Sequence, residues 1–171
     1  MECLKHHRPD FDLDLISGYF LSHDEKLIIN NIAIIYKELK GLPAALEIWL
    51  KLKENHNRDY MSSINDVSYT NLVMNIAIAQ KLLGRWDDCL EIAKEGYADS
   101  MTRHDMRSFS RFLYQKAFCL MKLGKKEEGR ALYKKFLMFA YVLDGYCAIN
   151  FETVRKEFVD TFGEEVPEVR L

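Results

Sequence analysis

Three primary amides recur along the chain at corresponding positions. Each lies two residues before an alanine in a segment of helical periodicity; they are Asn31, Asn75 and Gln115. A carboxamide has two donors and an acceptor, so it can bond to both the N–H and the C=O of an extended peptide backbone. Each such bond contributes ~1 kcal/mol and fixes the register of the peptide. The alternative is that the amides are solvated or bond to one another, because polar helix faces are common.

Further polar side chains follow the same period. Asn71 and Arg111 lie one helical turn before an amide, and Lys37 and Lys81 lie four residues after an alanine. Together with the amides they predict a mixed groove for a peptide or protein segment. The expected ligand-binding residues are Asn31, Lys37, Asn71, Asn75, Lys81, Arg111 and Gln115.

Arg103, Arg107 and Arg111 are spaced by four and predict a basic stripe on one helix. The planar guanidinium of an arginine can donate two parallel hydrogen bonds to a carboxylate, so the stripe could anchor an acidic group of a ligand. The stripe is also compatible with a solvated face. Salt bridges to the preceding repeat are a further alternative, with acceptors at Asp87, Asp88 or Glu91.

Other reactive groups are few. The pair His6–His7 is more typical of a mobile terminus than of a metal site, and His104–Asp105 has no nucleophile at a suitable spacing. No glycine-rich phosphate loop is present in the sequence. We therefore expect no enzyme, no catalytic residue, no metal and no cofactor.

Composition excludes several classes of protein. The 171 residues are 49% apolar with a net charge of -2, which indicates a folded domain and not a disordered chain. A pI near 6.2 argues against direct binding of nucleic acid by this chain. The longest strongly apolar stretch, residues 136–143, is too short to span a membrane. The four cysteines lack CxxC spacing, so we expect reduced thiols in a soluble, cytoplasmic protein.

A repeat organises the middle of the chain. Three segments align on Ala33, Ala77 and Ala117, which are 44 and 40 residues apart. Apolar residues in each segment recur at spacings of three and four, as expected for helices. The helices are expected at about 10–20, 23–40, 43–55, 66–83, 86–100, 105–123, 125–143 and 150–162.

Local signals mark the helix ends and crossings. Ser22 and Glu25 have the spacing of a capping box, and Gly84 and Gly124 lie where a tight turn needs positive φ. Small residues at Ala33, Ala77 and Ala117 and at the start of each second helix predict close helix crossings.

The predicted organisation has four parts. Residues 1–22 form an N-terminal segment with a short helix, 23–143 the repeat domain, 144–163 a capping helix and 164–171 a tail. Residues 136–143 are apolar on every side, which predicts complete burial. The closing helix covers part of that surface, and a second copy of the chain covers the remainder in a homodimer.

The small, glycine and aromatic positions resemble a known family. The pattern Ala33, Tyr36, Gly41, Ala45 and Trp49 is similar to the tetratricopeptide repeat, although the repeats here have about 40 residues instead of 34. The third copy keeps Gly124 and a tyrosine at position 133. The resemblance implies an all-α, right-handed solenoid of about three helical hairpins with flanking helices.

The phrase NLVMNIAIAQKLLGRWDDCLEIAKEGY is similar to the C-terminal domains of Gram-positive Rgg/PlcR-like helix-turn-helix regulators. That resemblance implies a peptide-sensing and dimerising domain of a transcription regulator, with the ligand in the concave groove. The residues before Asp24 are too few for a helix-turn-helix segment, so we expect one in a longer chain or a partner. The alternative function is a stand-alone scaffold that binds another protein.

Overall fold

Helices account for all regular secondary structure in the part of the chain that the structure describes. The structure is a computed structural model that describes residues 2–58, 67–142 and 151–163. It consists of two compact units, Met1–Leu83 and Gly84–Leu171. The predicted all-α class is confirmed for these residues.

The first unit is built around a helical hairpin. Its helix α2 packs against α3, and α3 also contacts α4 and the short 3-10 helix. The elements are α1 (Glu2–His7), the 3-10 helix (Leu13–Gly18), α2 (His23–Lys40), α3 (Leu42–Arg58) and α4 (Val67–Leu82).

The N-terminal segment differs from the predicted helix at about 10–20. Asp12 caps a 3-10 helix by accepting from the N–H of Asp14, and Pro9 separates this helix from α1. The buried side chain of Asn55 in α3 donates to the carbonyls of Ile16 (2.9 Å) and Tyr19 (2.6 Å). Because these bonds reach back from α3, tertiary contacts act together with the local cap at Asp12 to hold the segment in this conformation.

Helix α2 begins as the sequence predicts. The hydroxyl of Ser22 accepts from the N–H of Glu25, and the Glu25 carboxylate accepts from the N–H of Ser22 at 2.8 Å. Small residues fill the crossing of α2 and α3, where Ala33 and Ala45 are both fully buried. The buried ring of Trp49 lies one turn after Ala45.

The second unit contains two further helical packings and a closing helix. Helix α6 packs against both α5 and α7. The elements are α5 (Trp86–Thr102), α6 (Met106–Lys122), α7 (Lys126–Val142) and α8 (Phe151–Phe162).

The α6–α7 crossing is close enough to require glycine. A Cβ atom at Gly129 would lie 2.7 Å from Met121 Cγ and 3.0 Å from the carbonyl oxygen of Ala117. The small-residue positions predicted for this crossing, Ala117 and Gly129, are therefore confirmed. Gly84 and Gly124 have φ of +71° and +79°, as their predicted turns require.

Helix α8 covers part of the apolar surface of α7. Phe158 and Val154 lie in one core cluster with Tyr133 and Phe136 of α7. The prediction that residues 136–143 are buried on every side is wrong for a single chain, because Met138 and Val142 are exposed. Residue 143 and the tail at 164–171 lie outside the described residues.

Candidate functional site

The predicted amides of the first unit are open to solvent to different degrees. Asn31 on α2 is exposed, and Asn75 on α4 is half-buried. The Asn75 side chain donates to Oδ1 of Asn30 at 3.1 Å, so one of its two N–H donors is already used inside the unit. Asn31 remains available to a ligand.

Asn31 lies in the middle of an exposed apolar surface. At 100° per residue, its neighbours one turn away on this side of α2 are aliphatic and more than a third exposed, and the exposed charged residues Asp24 and Glu38 lie two turns away on the same side. We call this surface the α2 face; it consists of Leu27, Ile28, Asn31, Ile34, Ile35 and Leu39. The most exposed of them, Leu39, has 75% of its surface accessible. Sequence reasoning missed this feature, since the apolar spacing in this segment served only to predict a helix.

The other predicted polar residues of the first unit do not form one set. Lys37 is exposed and pairs with Glu38 at 2.9 Å. Asn71 is exposed on the first turns of α4, whereas Lys81 near the end of that helix is buried. Lys81 is therefore not open to a ligand. A ligand that bound Lys37 would have to compete with Glu38 for its ammonium group.

Gln115 in the second unit does not line an open wall. It is only 6% exposed, and its Oε1 is buried without a hydrogen-bond partner among the described residues. The prediction that all three amides are exposed is thus corrected at this position. Gln115 follows the same spacing as Asn31, but α6 is buried along most of its length, including Phe112, Leu113 and Phe118.

Arg111 lies one turn before Gln115 and is half-buried. Burial lowers the pKa of its guanidinium, the nearby charge of Arg107 lowers it further, and Asp105 acts in the opposite direction. No ion pair joins Arg111 to a carboxylate of the described residues. A partly desolvated cation of this kind favours an anionic group beside it.

The predicted arginine stripe is interrupted at its first member. Arg103 caps the C-terminus of α5, and its Nε donates to both carboxylate oxygens of Asp99 at 2.9 Å. Arg107 is exposed on the first turn of α6. The ion pair therefore uses Asp99 of the arginine's own helix, and none of the acidic residues proposed from the sequence.

A polar cavity of about 620 Å³ lies in the first unit beside the 3-10 helix. Lys51 lies on its wall and bonds to Asp14 at 2.7 Å and to Glu47 at 2.9 Å. The hydrogen bond to Asp14 is the main cause that raises the pKa of Lys51, and the same bond lowers the pKa of Asp14. Lys51 balances only one of these two carboxylates, and the wall also carries two lysines and two aspartates, Lys5, Lys40, Asp10 and Asp12.

Groups for metal binding or covalent chemistry are sparse in the residues that the structure covers. No set of three His, Cys, Asp or Glu residues among them is arranged to hold a metal ion. Cys89 and Cys119 are free thiols in the core.

No protein-family model matches the sequence, and no curated protein is similar enough to count as a relative. Within residues 2–58, 67–142 and 151–163, every helix is too short or too polar to cross a membrane.

Proposed function

We propose that this chain is a non-enzymatic binding module whose helical hairpins stack as tetratricopeptide-like repeats in a right-handed solenoid. The observation that carries the proposal is the α2 face, which leaves five aliphatic side chains exposed around Asn31. A group of exposed apolar side chains with charged residues at its border is typical of a site for another protein segment. The occupant is a peptide or protein segment, and the protein acts in the cytoplasm.

Each part of the α2 face has a separate role in binding. Burying the side chains of Leu27, Ile34 and Ile35 against a ligand contributes affinity at roughly 25 cal/mol per Å² of apolar surface. The Asn31 carboxamide bonds to the ligand backbone and sets its register. The polar pair Asn30–Asn75 is joined within the unit and adds a polar surface beside the apolar one.

In the second unit, Arg111 favours a ligand that carries an acidic group. Its half-buried guanidinium has no carboxylate partner among the described residues, and a ligand carboxylate would compensate its lost hydration. Gln115, one turn further along α6, is buried and is not part of this site.

The biological role we propose is the ligand-sensing and dimerisation domain of a transcription regulator. The support for this role is the resemblance of the second repeat to the Rgg/PlcR-like regulators. Self-association through the C-terminal helices stays a prediction. The exposed residues of α8 among those described are polar or charged and include Arg155, Lys156 and Asp160, so they offer a second copy no apolar surface.

The alternative is a stand-alone scaffold that binds a folded protein partner and does not respond to a peptide signal. A wide aliphatic surface on one helix also suits the apolar side of an amphipathic helix, which docks through residues spaced by three and four. The two functions differ in the conformation of the occupant.

A calorimetric titration with two probes tests the proposal. The first probe is a pool of acetylated octapeptides of random sequence, and the second is a hydrocarbon-stapled amphipathic helix. We expect binding of the octapeptide pool, weakened by Ile34→Ser and unchanged by Leu50→Ser, because these side chains are similarly exposed at 41% and 39%. Binding of the stapled helix alone favours the scaffold, and binding of neither probe refutes both functions.

A further inference from the structure

An apolar groove of about 470 Å³ lies between α5, α6 and α7 in the second unit. Aromatic rings form much of its wall: Tyr97 and Phe109 are 4.8 Å apart, and Phe109 and Phe139 are 5.0 Å apart. The volume is within the range of about 300–1,000 Å³ that is typical of small-molecule sites. The groove belongs to neither the α2 face nor the Arg111 region, so it is a separate site.

The groove is elongated along α7. Leu132, Lys135, Phe139 and Val142 line it from successive turns of that helix. Ten residues separate the first from the last, which corresponds to about 15 Å at 1.5 Å per residue. A space of this form suits an extended apolar chain better than a compact molecule.

Positive charge lies beside this apolar groove. Lys135 is part of the wall, and the Nζ atom of Lys116 lies 4.1 Å from the centroid of the Tyr97 ring. Burial lowers the pKa of Lys116, and the charges of Lys94 and Lys135 lower it further, so the ammonium groups are close enough to repel. Lys94 is paired with Glu91 at 2.6 Å. Neither Lys116 nor Lys135 has an ion pair with a described carboxylate.

The two lysines mark one end of the groove. Phe109 of α6 contacts Phe139 of α7, and Lys116 lies about two turns further along α6. Lys135 precedes Phe139 by one turn of the antiparallel helix α7. Positive charge therefore lies towards the Leu132 end of the groove, and the Val142 end is apolar.

We propose that this groove binds a small amphipathic carboxylic acid. Its apolar chain lies along α7 towards Phe139 and Val142, and its carboxylate lies between Lys116 and Lys135. One carboxylate relieves the repulsion between the two ammonium groups, and the aromatic wall removes the chain from water. A second copy of the chain is a poorer occupant, since a two-fold contact through the groove would bring the same lysines of both copies together.

The probe is dodecanoate below the concentration at which it forms micelles, and dodecanol is the uncharged comparison. Calorimetry measures affinity, and the methyl resonance of 13C-labelled Met138 reports occupancy of the groove. We expect dodecanoate to shift this resonance and to bind about tenfold more tightly than dodecanol, one decade being a usual effect of a charge-assisted contact. Lys116→Gln combined with Lys135→Gln removes this difference and leaves dodecanol binding unchanged.

A matched pair of methionine variants supplies the control. Met138 and Met101 are similarly exposed, at 45% and 49%, but Met101 is not among the groove residues. Met138→Glu abolishes dodecanoate binding because it repels the carboxylate and neutralises Lys135, and Met101→Glu leaves it unchanged. The proposal is overturned if dodecanoate and dodecanol bind equally or not at all. It is also overturned if the Met138 resonance shifts with protein concentration alone, since a second copy then occupies the groove.

Discussion

The ring of Phe158 lies parallel to the ring of Tyr133, with centroids 3.7 Å apart and an angle of 3° between the planes. Both side chains are almost completely buried. Phe136 and Tyr114 pack against Tyr133 from other sides, so the stack joins α8 to the core formed by α6 and α7. The aromatic stack thus gives α8 a structural role in the second unit.

Phe158→Ala is expected to destabilise the second unit by about 3–5 kcal/mol, because it removes a buried ring and leaves a cavity beside Tyr133. Urea denaturation followed by circular dichroism measures the loss. The matched control is Phe20→Ala, whose ring is 96% exposed, and its effect should stay within about 0.5 kcal/mol. A loss for Phe158→Ala no larger than that of the control would show that the stack is not structural.

Stability should fall in alkaline solution because of two buried tyrosines. Burial raises the pKa of Tyr133 to about 12, and burial followed by the hydrogen bond to Glu157 raises the pKa of Tyr114. Above the ordinary tyrosine pKa of about 10, the unfolded chain loses these protons while the folded chain keeps them. The stabilisation is therefore complete below about pH 10 and is lost as the pH rises through the folded pKa values.

The free energy of unfolding, measured between pH 8 and 12, checks this expectation. Tyr133→Phe should reduce the alkaline slope and cost little near neutral pH, since the buried Tyr133 hydroxyl has no hydrogen-bond partner among the described residues. An alkaline slope that persists unchanged when both Tyr114 and Tyr133 are replaced by Phe would be inconsistent with this origin.

His104 and Gly124 test the same backbone requirement in opposite directions. His104, with φ of 56°, is the only non-glycine residue of the described chain with a positive φ, and Gly124 has φ of 79° in the next turn. His104→Gly should stabilise the protein by about 0.5–1 kcal/mol, because the left-handed conformation costs other residues about 1–2 kcal/mol and glycine loses more entropy on folding. Gly124→Ala should destabilise it by about 1 kcal/mol. Thermal denaturation measures both changes in stability. If the two substitutions changed the stability in the same direction, the result would count against the explanation.

Gly96 permits the close packing of Phe112. A Cβ atom at position 96 would lie 2.1 Å from Cζ of the Phe112 ring, and that ring is fully buried. Gly96→Ala should therefore destabilise the second unit by about 1–3 kcal/mol through overpacking. In a Phe112→Leu background the same change should cost less, because the smaller side chain leaves room for the methyl group. Additive losses in the double-mutant cycle would argue against direct contact.

Local spacing predicted the elements that depend on short-range signals. The capping box at Ser22 and Glu25, the positive φ of Gly84 and Gly124, and the small residues of the crossings are properties of a few neighbouring residues. The helix periods likewise predicted most of the helices. These features depend on backbone geometry and on the size of a few neighbouring side chains, so residue types and their spacing are enough to predict them.

The parts that were wrong depend on distant residues. The 3-10 helix at Leu13–Gly18 is held by Asn55, whose partner carbonyls lie 39 and 36 residues away. Gln115 and Asn31 have the same position relative to an alanine, but packing around α6 buries the first and leaves the second exposed. The lysine-bordered groove requires side chains from three helices, so no single periodic segment could indicate it.

The claim that the α2 face receives a peptide is tested most directly by chemical-shift mapping with 15N-labelled protein and the octapeptide pool. The proposed function predicts shifts of the Asn31 side-chain amide and of backbone amides at 27–39, reduced by Asn31→Ala with no change in melting temperature. Shifts confined to other helices, or shifts in the Asn31→Ala and Ile34→Ser variants that are as large as those in the unaltered protein, would contradict it.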